Sequence, residues 1–256
     1  MSQVPLGGLL PVFLVVAGPF VGSFLGLVAD RLPAGEGLVG GRSRCDNCQA
    51  TLAPRDLIPV VSWALAGGRC RQCGARLSWR YPAIELAAAA VALWSVMLLP
   101  GWLMVVGCLL GWCLLTIATI DFRTFLIPDA LSWPLLVTGL GLAALWPNTV
   151  LFDHLIGALV GALVVIAVGL AFKRLRKREG IGLGDAKLLA AAGAWVGWQG
   201  LGSVLLLAAG SGLLVTLALG LLGKGRGLDQ PIPFGPYLAL GLWLTWLYGP
   251  LSFGVW

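Results

Sequence analysis

Apolar residues run along this chain in unbroken blocks, not in the alternation of a strand or the one-sided stripe of a soluble helix. Eight such blocks lie near 6–28, 82–99, 101–120, 127–146, 152–172, 183–198, 200–222 and 232–253. The hydrocarbon core of a bilayer asks for about 20 apolar residues per spanning helix. A helix also satisfies its own backbone hydrogen bonds, which lipid cannot do for it. The pattern predicts an all-α polytopic membrane protein of about eight transmembrane helices. The shortest blocks, 82–99 and 183–198, also admit a re-entrant or interfacial reading. No Lys or Arg precedes the first block, so it reads as a retained span and not as a cleaved signal peptide.

Charge then orients the helices. Only 11% of residues are charged and 59% are hydrophobic, against about 25% charged in an ordinary soluble domain. All 17 Lys and Arg lie in or beside connections from an odd-numbered block to the next even-numbered one. They form a group from Arg31 to Arg80, then Arg123, then Lys173 to Lys187, then Lys224 and Arg226. With eight spans these connections share one face, which the positive-inside rule makes the cytoplasm, and both termini lie outside. The net charge of +6 therefore reports orientation and contact with the anionic lipid bilayer, and no nucleic-acid partner is expected.

One connection is long enough to be a domain: residues 30–81, between a first transmembrane helix (1–29) and a helical remainder (82–256). It carries CDNC (Cys45, Cys48) and CRQC (Cys70, Cys73), a pair of knuckles with the spacing of a zinc ribbon. Cytoplasmic thiols stay reduced, so a disulfide framework explains them less well than a metal. So short a loop has too little core to hold itself, and a metal would staple it. Four cysteine ligands leave no open position for a catalytic water, so the expected Zn²⁺ is structural; redox thiols remain the alternative. Cys108 and Cys113, inside the third block, read as small apolar packing residues.

A carboxylate in a span costs about 2.5–3.5 kcal/mol on insertion scales, so each one there invites a functional reading. Asp30, Glu36, Asp46, Asp56, Glu179 and Asp229 fall in loops. Asp153 and the sole histidine, His154, share the outer side and receive no role. Glu85 is expected in the first turn of the second helix, where the helix dipole favours negative charge. Asp121 ends the third block, Asp129 opens the fourth after Pro128, and Asp185 opens the sixth behind Gly182 and Gly184. All three are expected at the cytoplasmic edge. The two glycines allow close backbone approach beside Asp185. Two carboxylates in reach of one another would share a proton and could activate water against a peptide carbonyl. Helix caps, or ion pairs with Lys187 or Arg123, are the bland alternatives.

In combination the motifs carry a resemblance. GSFLGLVADRLP (22–33), the paired CxxC motifs, DLIPVVSW (56–63), RYPAIE (80–85), DFRTFLIPD (121–129), GIGLGDAKLLAAAGAWVGW (180–198) and PFGPYLALG (233–241) run through nearly the whole chain. Together the chain resembles the type IV prepilin peptidases, bifunctional leader peptidases and N-methyltransferases of pilus assembly and type II secretion. The resemblance implies a GxGD intramembrane aspartyl protease in the bacterial inner membrane, with Asp121 and Asp185 catalytic at the cytoplasmic face. It places Asp129, Gly182, Gly184 and Lys187 in support. It also implies prepilin or pseudopilin substrates cut after a leader glycine, and N-methylation of the new terminus from S-adenosylmethionine. The zinc loop and Glu85 become candidates for the donor or amine site. Gly26 stands where the family usually has Asn, Asp30 where it has Tyr, and the first CxxC lacks a common proline. A cation transporter using Asp121 and Asp185, and a thiol-redox protein using the cysteines, are the competing classes.

Overall fold

The computed structural model describes residues 8–38, 43–45, 47–147, 149–176, 182–223 and 232–251. Among these residues the regular structure is helical apart from two isolated β-bridges. The helices are α1 (Leu9–Arg31), α2 (Val61–Leu65), α3 (Arg80–Leu98), α4 (Leu103–Thr124), α5 (Asp129–Leu145), α6 (Leu151–Arg176), α7 (Leu183–Leu221) and α8 (Gly235–Tyr248). Every apolar block has become helix. By length and composition α1, α3, α4, α6 and α7 suffice to cross a membrane, and α5 is a shorter apolar helix. The chain divides into two compact units, Met1–Thr116 and Ile117–Trp256.

In the first unit α1 packs on α3 through small residues. A Cβ built on Gly18 would lie 2.8 Å from the Ala89 Cα, so the backbones meet with no side chain between them. The N-terminal part of α4 closes the core with Met104, Cys108 and Trp112 against Leu14, Ala88 and Ala92. Trp112 buries its ring there because its Nε1–H donates to the Ala88 carbonyl at 2.9 Å. Cys108 is fully buried among these apolar side chains, in keeping with the packing role expected of it. Arg80 Nη2 donates to both oxygens of Asp30 at 2.8 and 2.9 Å and joins the end of α1 to the start of α3.

The second unit is organised around α7, whose two helical halves correspond to the expected sixth and seventh blocks. Blocks six and seven form one helical run broken at Gly197 alone, whose φ of 68° and ψ of 175° suit a residue without a Cβ. The first half of α7 runs antiparallel to α6. Gly193 crosses Gly157 so closely that a Cβ on it would sit within 2.1 Å of the Gly157 carbonyl oxygen, and Gly161 meets Leu189. The second half runs antiparallel to α8, with Gly200 near Thr245, Val204 near Gly241 and Gly212 near Tyr237. A straight helix would put Gly212 about 40 Å from Asp185. Instead both lie near the start of α8, so the chain turns back at Gly197. At that turn His154 Nδ1 lies 3.0 Å from the Ala194 carbonyl, and Asp153 accepts hydrogen bonds from Trp198 and Gln199. These two residues, without a role in the sequence reading, hold the break.

Candidate functional site

Asp121 lies in the last turn of α4 and is 5% exposed. Its carboxylate Oδ2 accepts the Gly235 backbone N–H at 2.9 Å. Gly235 is the first residue of α8, so this N–H is one that no carbonyl of the helix can use. The positive end of the α8 dipole faces the carboxylate as well. Pro236 follows and brings no N–H of its own, which leaves the Gly235 amide as the donor of that turn. Glycine is needed for a second reason: a Cβ at 235 would stand 2.7 Å from Asp121 Oδ2.

Asp185 sits half-buried in the first turn of α7. Its backbone N–H donates to the carbonyl of Gly182, the residue that caps the helix, at 3.2 Å, and its carboxylate faces the Gly182 amide. Gly184 lies against Ile127, and a Cβ there would meet the Ile127 Cβ at 3.0 Å. Asp121 lies near enough for its charge to reach Asp185. The structure thus brings the two aspartates together, each at the N-terminus of a different helix. A helix cap, one of the bland alternatives, is thus part of what both aspartates do. Lys187 pairs at 2.5 Å with Asp129, an exposed residue in the first turn of α5, so Asp129 supports α7 from outside the pair. The sequence reading missed Gly235. Its signal was the Gly-Pro at the start of an apolar block, where a helix N-terminus can receive an anion.

The cysteines form a second centre. The Sγ atoms of Cys45, Cys48, Cys70 and Cys73 all lie within 4.8 Å of one another, and Cys45 and Cys73 are 3.9 Å apart. Four thiolates at about 2.3 Å from one ion stand about 3.8 Å apart, so the cluster can hold a tetrahedral metal. The two knuckles repeat one fold. Cys45 N–H bonds Ala50 and Gln49 N–H bonds Cys45; Cys70 N–H bonds Ala75 and Gly74 N–H bonds Cys70. Gln49 and Gly74 hold the same left-handed position in each. The Ala75 amide and then the Asn47 side chain hold the Cys73 thiol down to about 6, which suits it to bind as thiolate. All four cysteines are free of disulfides.

Glu85 requires a correction. It lies one turn beyond the first turn of α3, which contains no acid, so the helix dipole is not what holds it. It is 6% exposed. Its Oε2 accepts the Val60 N–H at 2.6 Å, and the Ser23 side chain of α1 lies beside it. Glu85 and Ser23 line a cavity of about 670 Å³ that the knuckles bound on another side through Cys45 and Cys70.

An α-helical polytopic membrane protein with a carboxylate pair where two helix N-termini meet, and a separate four-cysteine centre, is the class these features define. Residues 16–99 match the family model described as bacterial peptidase A24 N-terminal domain, and 108–217 that of the type IV leader peptidase family. A prepilin leader peptidase/N-methyltransferase of Aeromonas hydrophila is 40% identical over 254 residues, covering 90% of this chain and 87% of the relative. One from Aeromonas salmonicida is 44% identical over 209 residues, 81% and 72% of the two chains. One from Burkholderia pseudomallei is 37% identical over 263 residues, 93% and 85%. The chain belongs to the type IV leader peptidase family. No solved structure matches it.

Proposed function

We propose that this chain cleaves the leader of type IV prepilins or type II pseudopilins by aspartyl-protease chemistry and N-methylates the terminus it exposes. The observation that carries the proteolytic half is the approach of Asp121 and Asp185, each facing the first amides of a helix. Two such carboxylates act as a unit, one as base and the other as acid, by sharing a proton. The ionised oxygen takes a proton from water as that water attacks the scissile carbonyl. The protonated one polarises the carbonyl and then protonates the leaving amine. Asp129 and Lys187 brace the start of α7, Gly182 caps it, and Gly184 lets the backbone there come close to Ile127.

Cys45, Cys48, Cys70 and Cys73 hold a structural Zn²⁺, for which the sulfur separations are right. S-adenosylmethionine supplies the methyl group when bound. Incubating the detergent-purified protein with a prepilin, then weighing the products with and without this donor, tests the function. Two mass changes are expected, loss of the leader and gain of one methyl. Transport of a cation without any peptide product would support the transporter reading instead.

Counting α7 as two spans gives eight crossings of the bacterial inner membrane, with 30–81 and 173–187 cytoplasmic and both termini outside. The active pair then opens to the cytoplasmic face, where a basic leader waits. Topology reporters fused at residue 60 and at the C-terminus should give opposite signals. The same signal from both would break the eight-span arrangement.

A further inference from the structure

The turn between α4 and α5 carries a strained aromatic residue that the aspartate pair does not account for. Among the described residues, Gln49, Val60 and Phe125 are the non-glycine residues at positive φ. Gln49 takes the place in its knuckle that Gly74 takes in the other, and Val60 gives its N–H to Glu85. Phe125, at φ 54°, closes α4. Its N–H donates to the Asp121 carbonyl at 3.0 Å, the bond of a left-handed helix cap. Glycine or asparagine usually fills such a position, because a bulky side chain is crowded there by its own backbone. Burial does not offset the strain, since Phe125 is half exposed. Strain of this kind persists where the surroundings impose it, and it clusters at active sites and ligand clamps.

The place of the turn gives the strain a use. Phe125 follows Asp121 by four residues, and two residues further on Ile127 packs against Gly184, the neighbour of Asp185. The turn therefore leads from the end of one aspartate's helix to the start of the other's. Phe122 and Leu126 beside it, and Leu183 at the start of α7, are exposed as well. Arg123 and Lys187 lie among them in the chain, which sets these apolar side chains at the membrane edge and not at the depth of the lipid tails. An apolar lip at that level does not suit a basic leader. A substrate whose basic leader waits outside the bilayer is held in it by the residues beyond the cut, and those are its apolar ones.

We infer that Phe125 is a specificity-determining residue of the leader peptidase, whose ring contacts the apolar side chain of the residue just after the scissile bond. The left-handed cap ends α4 at once, so the ring stands directly beyond the helical turn that carries Asp121. The inference rests on the proteolytic half of the proposed function. A contact of this kind selects by what it loses: one apolar group more or less against a hydrophobic surface is worth about 10–200-fold.

The full-length protein in detergent tests it, with two prepilins that carry Phe or Ser as the residue after the cut. Phe125→Gly should melt no lower than wild type, because glycine suits the left-handed position. Its KM for the Phe substrate should nevertheless rise about tenfold, with kcat within about twofold, the signature of lost binding. Phe125→Leu keeps an apolar side chain and should hold KM within about threefold. Exchanging Phe for Ser in the substrate should raise KM about tenfold for wild type but less than about twofold for Phe125→Gly, where the contact is already gone. An unchanged KM in Phe125→Gly, or an equal Ser penalty in both enzymes, overturns the inference. Melting well below wild type by both Phe125→Gly and Phe125→Asn overturns it too, since the ring would then be held for packing. A wild-type protein that cleaves neither prepilin removes the proteolytic half of the proposed function and this inference with it. One that cleaves both prepilins equally well removes this inference alone.

Discussion

Asp121→Asn and Asp185→Asn should each slow prepilin cleavage by about 10³-fold or more while the protein still folds and inserts. The amide keeps an oxygen that can accept the Gly235 N–H at position 121, or face the Gly182 amide at position 185. What it loses is the exchange of a proton, and proton transfer by a placed group contributes about 10²–10⁴-fold. The double variant should be little worse than either single one, since the two groups work as a unit. Asp129→Asn should lose only an exposed pair with Lys187, worth at most about 1 kcal/mol, and cleave at nearly the normal rate. Gly235→Ala leaves both aspartates in place but pushes a Cβ into the Asp121 carboxylate. A displacement of about 1 Å at a reacting group can cost about 10²-fold, so this variant should fall between the others. Single-turnover cleavage of a prepilin, followed on gels, reads all five. Near-normal cleavage by either aspartate variant would falsify the pair and reopen the transporter reading.

Stripping the metal should have the other large effect, on a different part of the chain. Purified protein should carry about one Zn²⁺, and Cys70→Ser should lose it. Cys70 is buried at the centre of its knuckle, and each knuckle has little beyond its own turn bonds to hold it. Folding and metal binding are coupled in small metal domains, where binding is worth on the order of 10 kcal/mol. Residues 43–77 should then become open to proteolysis. Limited proteolysis and elemental analysis before and after chelation make the measurement. A protein free of zinc, with its cysteines found in disulfides, would remove the metal reading.

The knuckles were legible because a CxxC pair is local: one turn of chain brings two sulfurs together, and both turns repeat the same hydrogen bonds. The helices were legible for a similar reason, since lipid demands long apolar stretches and leaves the backbone no other solution. Glu85 was legible as a carboxylate in an apolar helix, but its holder was not. Val60 is distant in sequence, and its unusual backbone angles are imposed by the fold, not by residue type.

Composition and local spacing are enough to establish an all-helical membrane chain, the four-cysteine cluster, and the short list of carboxylates with chemistry to do. Tertiary structure decided which of them meet. Asp121 and Asp185 come together because α7 turns back at Gly197 and α8 aims its first amide at Asp121. The same packing gives Lys187 to Asp129 and leaves Glu85 facing a cavity. Those pairings depend on how distant helices pack, through glycine crossings whose partners no local pattern names.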